Sequence, residues 1–188
     1  MSPITPFTIV PAVIGNPFAL KANAFLVPIG FEPVALDLTM HQLHESFVGS
    51  NILEGIPMPS ERVNGAVHLV HDPIINRQVA FVVDGDHTLR LEELIEAALY
   101  KFDTNLPNAP AVSNVVIAPL QARKVIYGHT DEASMVKNLA RALKIVQRRS
   151  GDSLTNIKSV TATFAMYSLG SIDPVKLFQD TIAENPKS

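Results

Sequence analysis

The 188-residue chain carries 15 Lys and Arg against 18 Asp and Glu, a formal net charge of −3, and 47% of its residues are hydrophobic. This composition is typical of a folded protein, and the length predicts one domain, residues 1–188, with a sizeable core. The net negative charge argues against a broad nucleic-acid surface, since duplex affinity depends on neutralising many phosphates. No apolar run approaches the roughly 18–20 residues that span a bilayer, so no membrane association is expected.

The chain contains no cysteine, which excludes disulfides and Cys-based zinc sites and favours a cytoplasmic protein. Prolines at positions 3, 6 and 11, with no basic stretch before the first apolar residues, do not resemble a signal peptide. His41 and His44 are three residues apart and could share one helix face, but no third ligand stands at a diagnostic spacing. We therefore predict no metal site.

The hydrophobic pattern predicts strands that alternate with helices along the chain. The predicted elements are strands within 7–14 and 24–29, a helix over 36–48, a loop over 49–64, strands at 65–70 and 79–83, a helix over 89–102, a strand at 115–118, a helix over 131–149, a strand over 158–166 and a helix over 174–184. Helices between consecutive strands predict an α/β fold, a three-layer α/β/α sandwich with a mixed, largely parallel central sheet. Ligands of such sheets bind beyond the carboxyl ends of strands, where the loops 28–35 and 119–130 are expected.

The segment 114–149 is the most informative, because a strand, a loop and a helix start follow one another there. The first N–H groups of a helix lack intrahelical acceptors and can bind an anion. Arg123 and Lys124 would add positive charge, and Tyr127 a flat face against which a ring could stack. The alternative interpretation of the basic pair is a solvated loop.

Three further motifs allow both a functional and a structural interpretation. Pro28-Ile29-Gly30 could bring its backbone close to a ligand, or could form a simple turn. Asn16 could face a base edge, or serve only the turn between Gly15 and Pro17. The cluster 84–87, Asp-Gly-Asp-His, could supply a general acid or base, or an N-cap for the next helix.

The order of elements and several short motifs resemble those of macrodomains, the family of ADP-ribose-binding modules, over about residues 7–184. Gly15-Asn16 resembles the Gly-Asp that ends the family's first strand, and Ile126-Tyr127-Gly128 resembles the end of its Ser-Thr-Gly-Ile-Tyr-Gly loop. The resemblance implies that Asn16 faces the base, that Tyr127 lies against the sugar, and that two loops flank the phosphates. The implied loop residues are Pro28, Ile29 and Gly30 in the first loop and Arg123, Lys124, Val125, Ile126 and Gly128 in the second.

The chain also departs from the family pattern. Asn16 replaces an acidic residue, Pro28-Ile29-Gly30 replaces the Asn-Ala-Ala segment whose asparagine is linked to hydrolysis, and Phe31 opens the segment where a glycine run stands. In the second loop, Val125 replaces a glycine. These departures predict binding of ADP-ribose or a related nucleotide phosphate without efficient hydrolysis, and no cofactor.

Two alternatives stay open at this point. The fold could have lost nucleotide binding and serve as a protein-interaction or assembly module, including self-association. The chain could also be an enzyme that uses Asp84, Asp86 or His87 on a nucleotide-linked substrate.

Overall fold

The computed structural model describes residues 6–31, 38–85, 89–104, 111–120, 130–165 and 172–184. Within these ranges the strands are β1 (Thr8–Ile9), β2 (Val13–Ile14), β3 (Ala24–Ile29), β4 (Val67–Asp72), β5 (Arg77–Val83), β6 (Asn114–Ile117) and β7 (Ser159–Phe164). The α-helices are α1 (Leu38–Ser46), α2 (Asn51–Glu54), α3 (Leu91–Thr104), α4 (Glu132–Ser150) and α5 (Pro174–Ala183). Two 3-10 helices cover Pro17–Ala19 and Pro59–Glu61.

All seven strands form one mixed sheet in the order β1-β7-β6-β3-β5-β4, with β2 also paired to β7. Every pairing is parallel except that of β4 with β5, which is antiparallel. The longest parallel register joins β3 to β5, from Ala24 opposite Gln78 to Ile29 opposite Val83. The predicted run 7–14 thus supplies two short strands, β1 and β2, that both lie along β7.

Alternate residues of the central strands supply two separate cores, because successive side chains of a strand point to opposite faces. Leu26 and Ala80 belong to the larger core, which α3, α4 and α5 cover. Phe25 and Phe81 belong to the smaller core on the opposite face of the sheet, which also contains Leu43 of α1. The sheet is therefore covered on both faces, and the predicted fold class is confirmed.

Helices α3 and α4 are joined by a charged contact beside the larger core. The guanidinium of Arg149 donates from Nε and Nη2 to the two carboxylate oxygens of Glu96, at 3.0 and 3.1 Å. The Ser150 hydroxyl donates to the same carboxylate. Burial alone would raise the pKa of Glu96, but the hydrogen bonds from Arg149 and Ser150 outweigh it and hold this pKa below its ordinary value.

The prediction of a loop over 49–64 is wrong in part, because α2 and the second 3-10 helix lie inside it. The Ser50 side chain accepts the N–H of Ile52 at 3.1 Å and so caps α2, and the Ile52 side chain is buried in the smaller core. The burial of Ile52 just after the N-cap offsets the unfavourable free energy of forming so short a helix. The helix predicted over 36–48 is observed from Leu38 to Ser46, and its start at 36–37 lies outside the described residues.

Candidate functional site

The carboxyl ends of the parallel strands gather five chain exits along one edge of the sheet, called here the carboxyl edge. These exits follow Ile14, Ile29, Val83, Ile117 and Phe164. The exits of β3 and β6 are neighbours, since Leu26 pairs with Ile117 and the Ala118 N–H donates to the Leu26 carbonyl at 2.9 Å. The fold therefore brings the start of the predicted first loop beside the start of the predicted second loop.

At the exit of β2, Gly15 and Asn16 form a tight turn. Gly15 has φ +132°, a value that L side chains rarely adopt, and its N–H donates to the Phe164 carbonyl at 3.0 Å. The Asn16 side chain accepts the N–H of Phe18 at 2.9 Å and caps the first 3-10 helix. The structure thus gives Asn16 its turn role, while contact of its amide with a base stays a prediction.

At the exit of β3, only Gly30 of the predicted binding trio stands in the loop. Pro28 and Ile29 are the last residues of the strand, and the Ile29 side chain is buried in the smaller core. The buried Gly30 offers its carbonyl to Nη1 of Arg62, at 2.9 Å, while Nε of Arg62 donates to the Pro57 carbonyl at 3.0 Å. This trio therefore presents no polar side chain, and any hydrogen bond from it to a ligand would come from its backbone.

Arg62 is a residue that the sequence patterns missed. It stands alone in a segment rich in Gly, Pro, Ser and Asn, and only the folded chain brings it 32 positions back to Gly30. Its half-buried guanidinium links the exit of β3 to the segment 55–66, which lies between α2 and β4. It also places a positive charge beside the carboxyl edge. The only sequence signal was a single cation within a stretch of turn residues.

At the exit of β5, Asp84 and Gly85 continue the edge. The Asp84 N–H donates to the Ile29 carbonyl at 2.9 Å, and Asp84 is 6% exposed. The Gly85 N–H donates to the Asn64 side chain at 3.0 Å. A Cβ built on Gly85 would lie 2.3 Å from ring atoms of Phe31, so the Phe31 ring packs directly on this glycine.

The second loop lies outside the described residues. This applies to all its predicted site residues, Arg123, Lys124, Val125, Ile126, Tyr127 and Gly128, as it does to Asp86 and His87. The described chain resumes at 130, and the Asp131 side chain accepts the Ser134 N–H at 2.7 Å as the N-cap of α4. Because the Asp131 carboxylate accepts the Ser134 N–H, an anion bound at this helix N-terminus could not use that donor.

No group of three or more His, Cys, Asp or Glu among the described residues could hold a metal ion, and no helix there is both long and apolar enough to cross a membrane. A groove of about 300 Å³ separates the start of α3 from the middle of α4, with Arg90 and Arg141 among its lining residues. Those predicted site residues that the structure describes do not line it.

Comparison with solved structures identifies the fold. A Trypanosoma brucei macrodomain in complex with ADP superposes with a TM-score of 0.55 at 11% identity, covering 91% of this chain and 67% of that one. A second crystal structure of the T. brucei macrodomain gives a TM-score of 0.55 at 12% identity, with 91% and 65% covered, so this chain spans about two thirds of its length. No family model matches the sequence, and no curated protein is significantly similar to it. The chain thus has a macrodomain-like α/β fold with a highly divergent sequence.

Proposed function

We propose that this protein binds ADP-ribose or a related nucleotide phosphate in a cleft at the carboxyl edge, between the loops 28–35 and 119–130, without efficient hydrolysis. The observation that carries the proposal is the macrodomain-like fold, in which the exits of β2, β3 and β6 open at one edge of the sheet. The T. brucei structure of the same fold contains ADP. Backbone groups at Gly30 and in the second loop, with the charge of Arg62 nearby, would bind the phosphates.

The absence of efficient hydrolysis rests on the first loop. A general base or water-positioning group has to reach the bond that is broken. Pro28 and Ile29 lie within β3, and Gly30 has no side chain, so none of the three can supply such a group. The Asp84 carboxylate follows β5 at the same edge, and this residue is buried.

The test is calorimetric titration with ADP-ribose, with AMP as the shorter ligand. Saturable binding at micromolar affinity, weaker for AMP, is the expected result, and Tyr127→Ala should weaken it about tenfold because a stacking face is lost. Tyr100→Ala is the matched control, since Tyr100 is 37% exposed on α3 and stands outside the proposed site. Unchanged affinity in Tyr127→Ala would reject the site assignment, and a wild type that gives no heat with ADP-ribose, AMP or ADP would reject nucleotide binding.

A second candidate function is that of an assembly module. Strand β4 is an edge of the sheet, and apolar side chains on its connections are exposed, including Ile74 at 92% and Val63 at 68%. Unprotected edges and exposed apolar groups favour association. Concentration-dependent self-association in sedimentation runs, with no response to nucleotide, would support this candidate over the first.

A further inference from the structure

The side chain of Phe31 occupies the end of the carboxyl edge where β3 and β5 finish. Its ring lies against Gly85, the second residue after β5, at a distance that leaves no room for a Cβ on that glycine. Two contacts hold the surrounding backbone in place: the Gly30 carbonyl accepts from Arg62, and the Gly85 N–H donates to Asn64. Phe31 is 38% exposed, so most of its surface is buried in this position.

The strand order shows which end of the cleft Phe31 occupies. From the exit of β2, which carries Asn16, the edge runs past β7 and β6 to β3 and then β5. With neighbouring strands about 4.8 Å apart, the exits of β2 and β3 are about 14 Å apart. If the base lies at Asn16 and the phosphates lie between the two loops, the next group of the ligand would meet the Phe31 ring.

We propose that Phe31 closes the β3–β5 end of the cleft, so that the preferred ligand is a nucleoside diphosphate with a free terminal phosphate. This inference rests on the proposed function and narrows it. A second sugar beyond the diphosphate would have to displace the ring from Gly85 and expose the apolar faces that now touch. A terminal phosphate ends before that point and leaves the contact intact.

The experiment compares ADP with ADP-ribose by calorimetry on the full chain. For the wild type, ADP should bind at least as tightly as ADP-ribose. In Phe31→Ala the ADP affinity should stay within about twofold of the wild-type value. The affinity for ADP-ribose should rise about fivefold or more relative to that for ADP, because the ring no longer fills the space. Tyr100→Ala, which removes an aromatic ring of similar exposure from α3, should leave the ratio of the two affinities unchanged.

Phe31→Trp provides a variant that keeps this end closed. The chain contains no tryptophan, so the emission of the single indole reports directly whether the ring stays packed on Gly85. A partly buried emission maximum together with the wild-type order of affinities supports the proposal. The Phe31→Trp variant also keeps the proposal testable if Phe31→Ala does not fold.

The outcomes separate this inference from the function on which it rests. A wild type that prefers ADP-ribose over ADP by about tenfold, or a Phe31→Ala variant with the wild-type ratio, overturns the closing role of Phe31 and leaves nucleotide binding standing. A wild type that binds neither ligand overturns the proposed function and this inference together.

Discussion

Arg62 offers the most direct test of how the carboxyl edge is held together. Its guanidinium donates to the Gly30 carbonyl at 2.9 Å and to the Pro57 carbonyl at 3.0 Å. Replacement by Met keeps most of the aliphatic stem while removing the charge and every donor. Hydrogen bonds from charged groups contribute about 1.5–3 kcal/mol each, and solvent competes at a half-buried site, so we expect a total loss of about 1–3 kcal/mol.

The assay is urea denaturation together with thermal unfolding. For a chain of this length each kcal/mol lowers the melting temperature by about 2–4 °C, so Arg62→Met should melt about 2–12 °C lower. Arg148→Met is the control, because Arg148 is exposed on the last turn of α4 and its replacement should change the free energy of unfolding by no more than about 0.5 kcal/mol. The slope of the urea transition should stay constant in both variants.

Binding measurements extend this prediction to function. Loss of the contact frees the Gly30 backbone, so nucleotide affinity should fall in Arg62→Met at temperatures where the variant is fully folded. An Arg62→Met protein as stable as the wild type would refute the supporting role of the guanidinium. A destabilised variant with unchanged affinity would show instead that Gly30 does not line the site.

Two further predictions concern the helices that cover the larger core. Since Arg149 and Ser150 hold the pKa of Glu96 below its ordinary value of 4.5, the ionised carboxylate stabilises the fold above that pH, and this contribution disappears as pH falls through the lower folded value. The stability difference between wild type and Glu96→Gln should therefore be largest near neutral pH and shrink below about pH 4.5, and a difference independent of pH in urea titrations would contradict it. Phe178 of α5 is 1% exposed and packs edge-on to Phe164 of β7 at 5.8 Å between ring centroids, so Phe178→Ala should lower the free energy of unfolding by about 3–5 kcal/mol. A loss below about 1 kcal/mol, similar to that expected for Val48→Ala at an 80% exposed position, would mean that α5 does not depend on this contact.

The fold class and most of the helices and strands could be predicted from the sequence, because they depend on local periodicity. Apolar residues at helical spacing predicted α3 and α4, and continuous apolar runs predicted β3 and β5, which are buried on both faces of the sheet. Asp131 was placed at the start of α4 by its acidic first turn and is its N-cap. The short helix α2 was missed, because four residues carry too little periodicity to detect and the stability of this helix depends on the burial of Ile52.

The contacts between groups at the carboxyl edge could not be predicted from the sequence, because they depend on the tertiary structure. The sequence could place Gly30 at a strand exit, but its partner Arg62 is 32 residues away, and no local pattern encodes a contact across that distance. In the same way, Phe31 and Gly85 meet because β3 and β5 pair in parallel register, which carries two distant segments to one edge. Short-range patterns follow the backbone geometry of each segment, whereas the grouping of residues at the carboxyl edge follows from the order in which the sheet joins its strands.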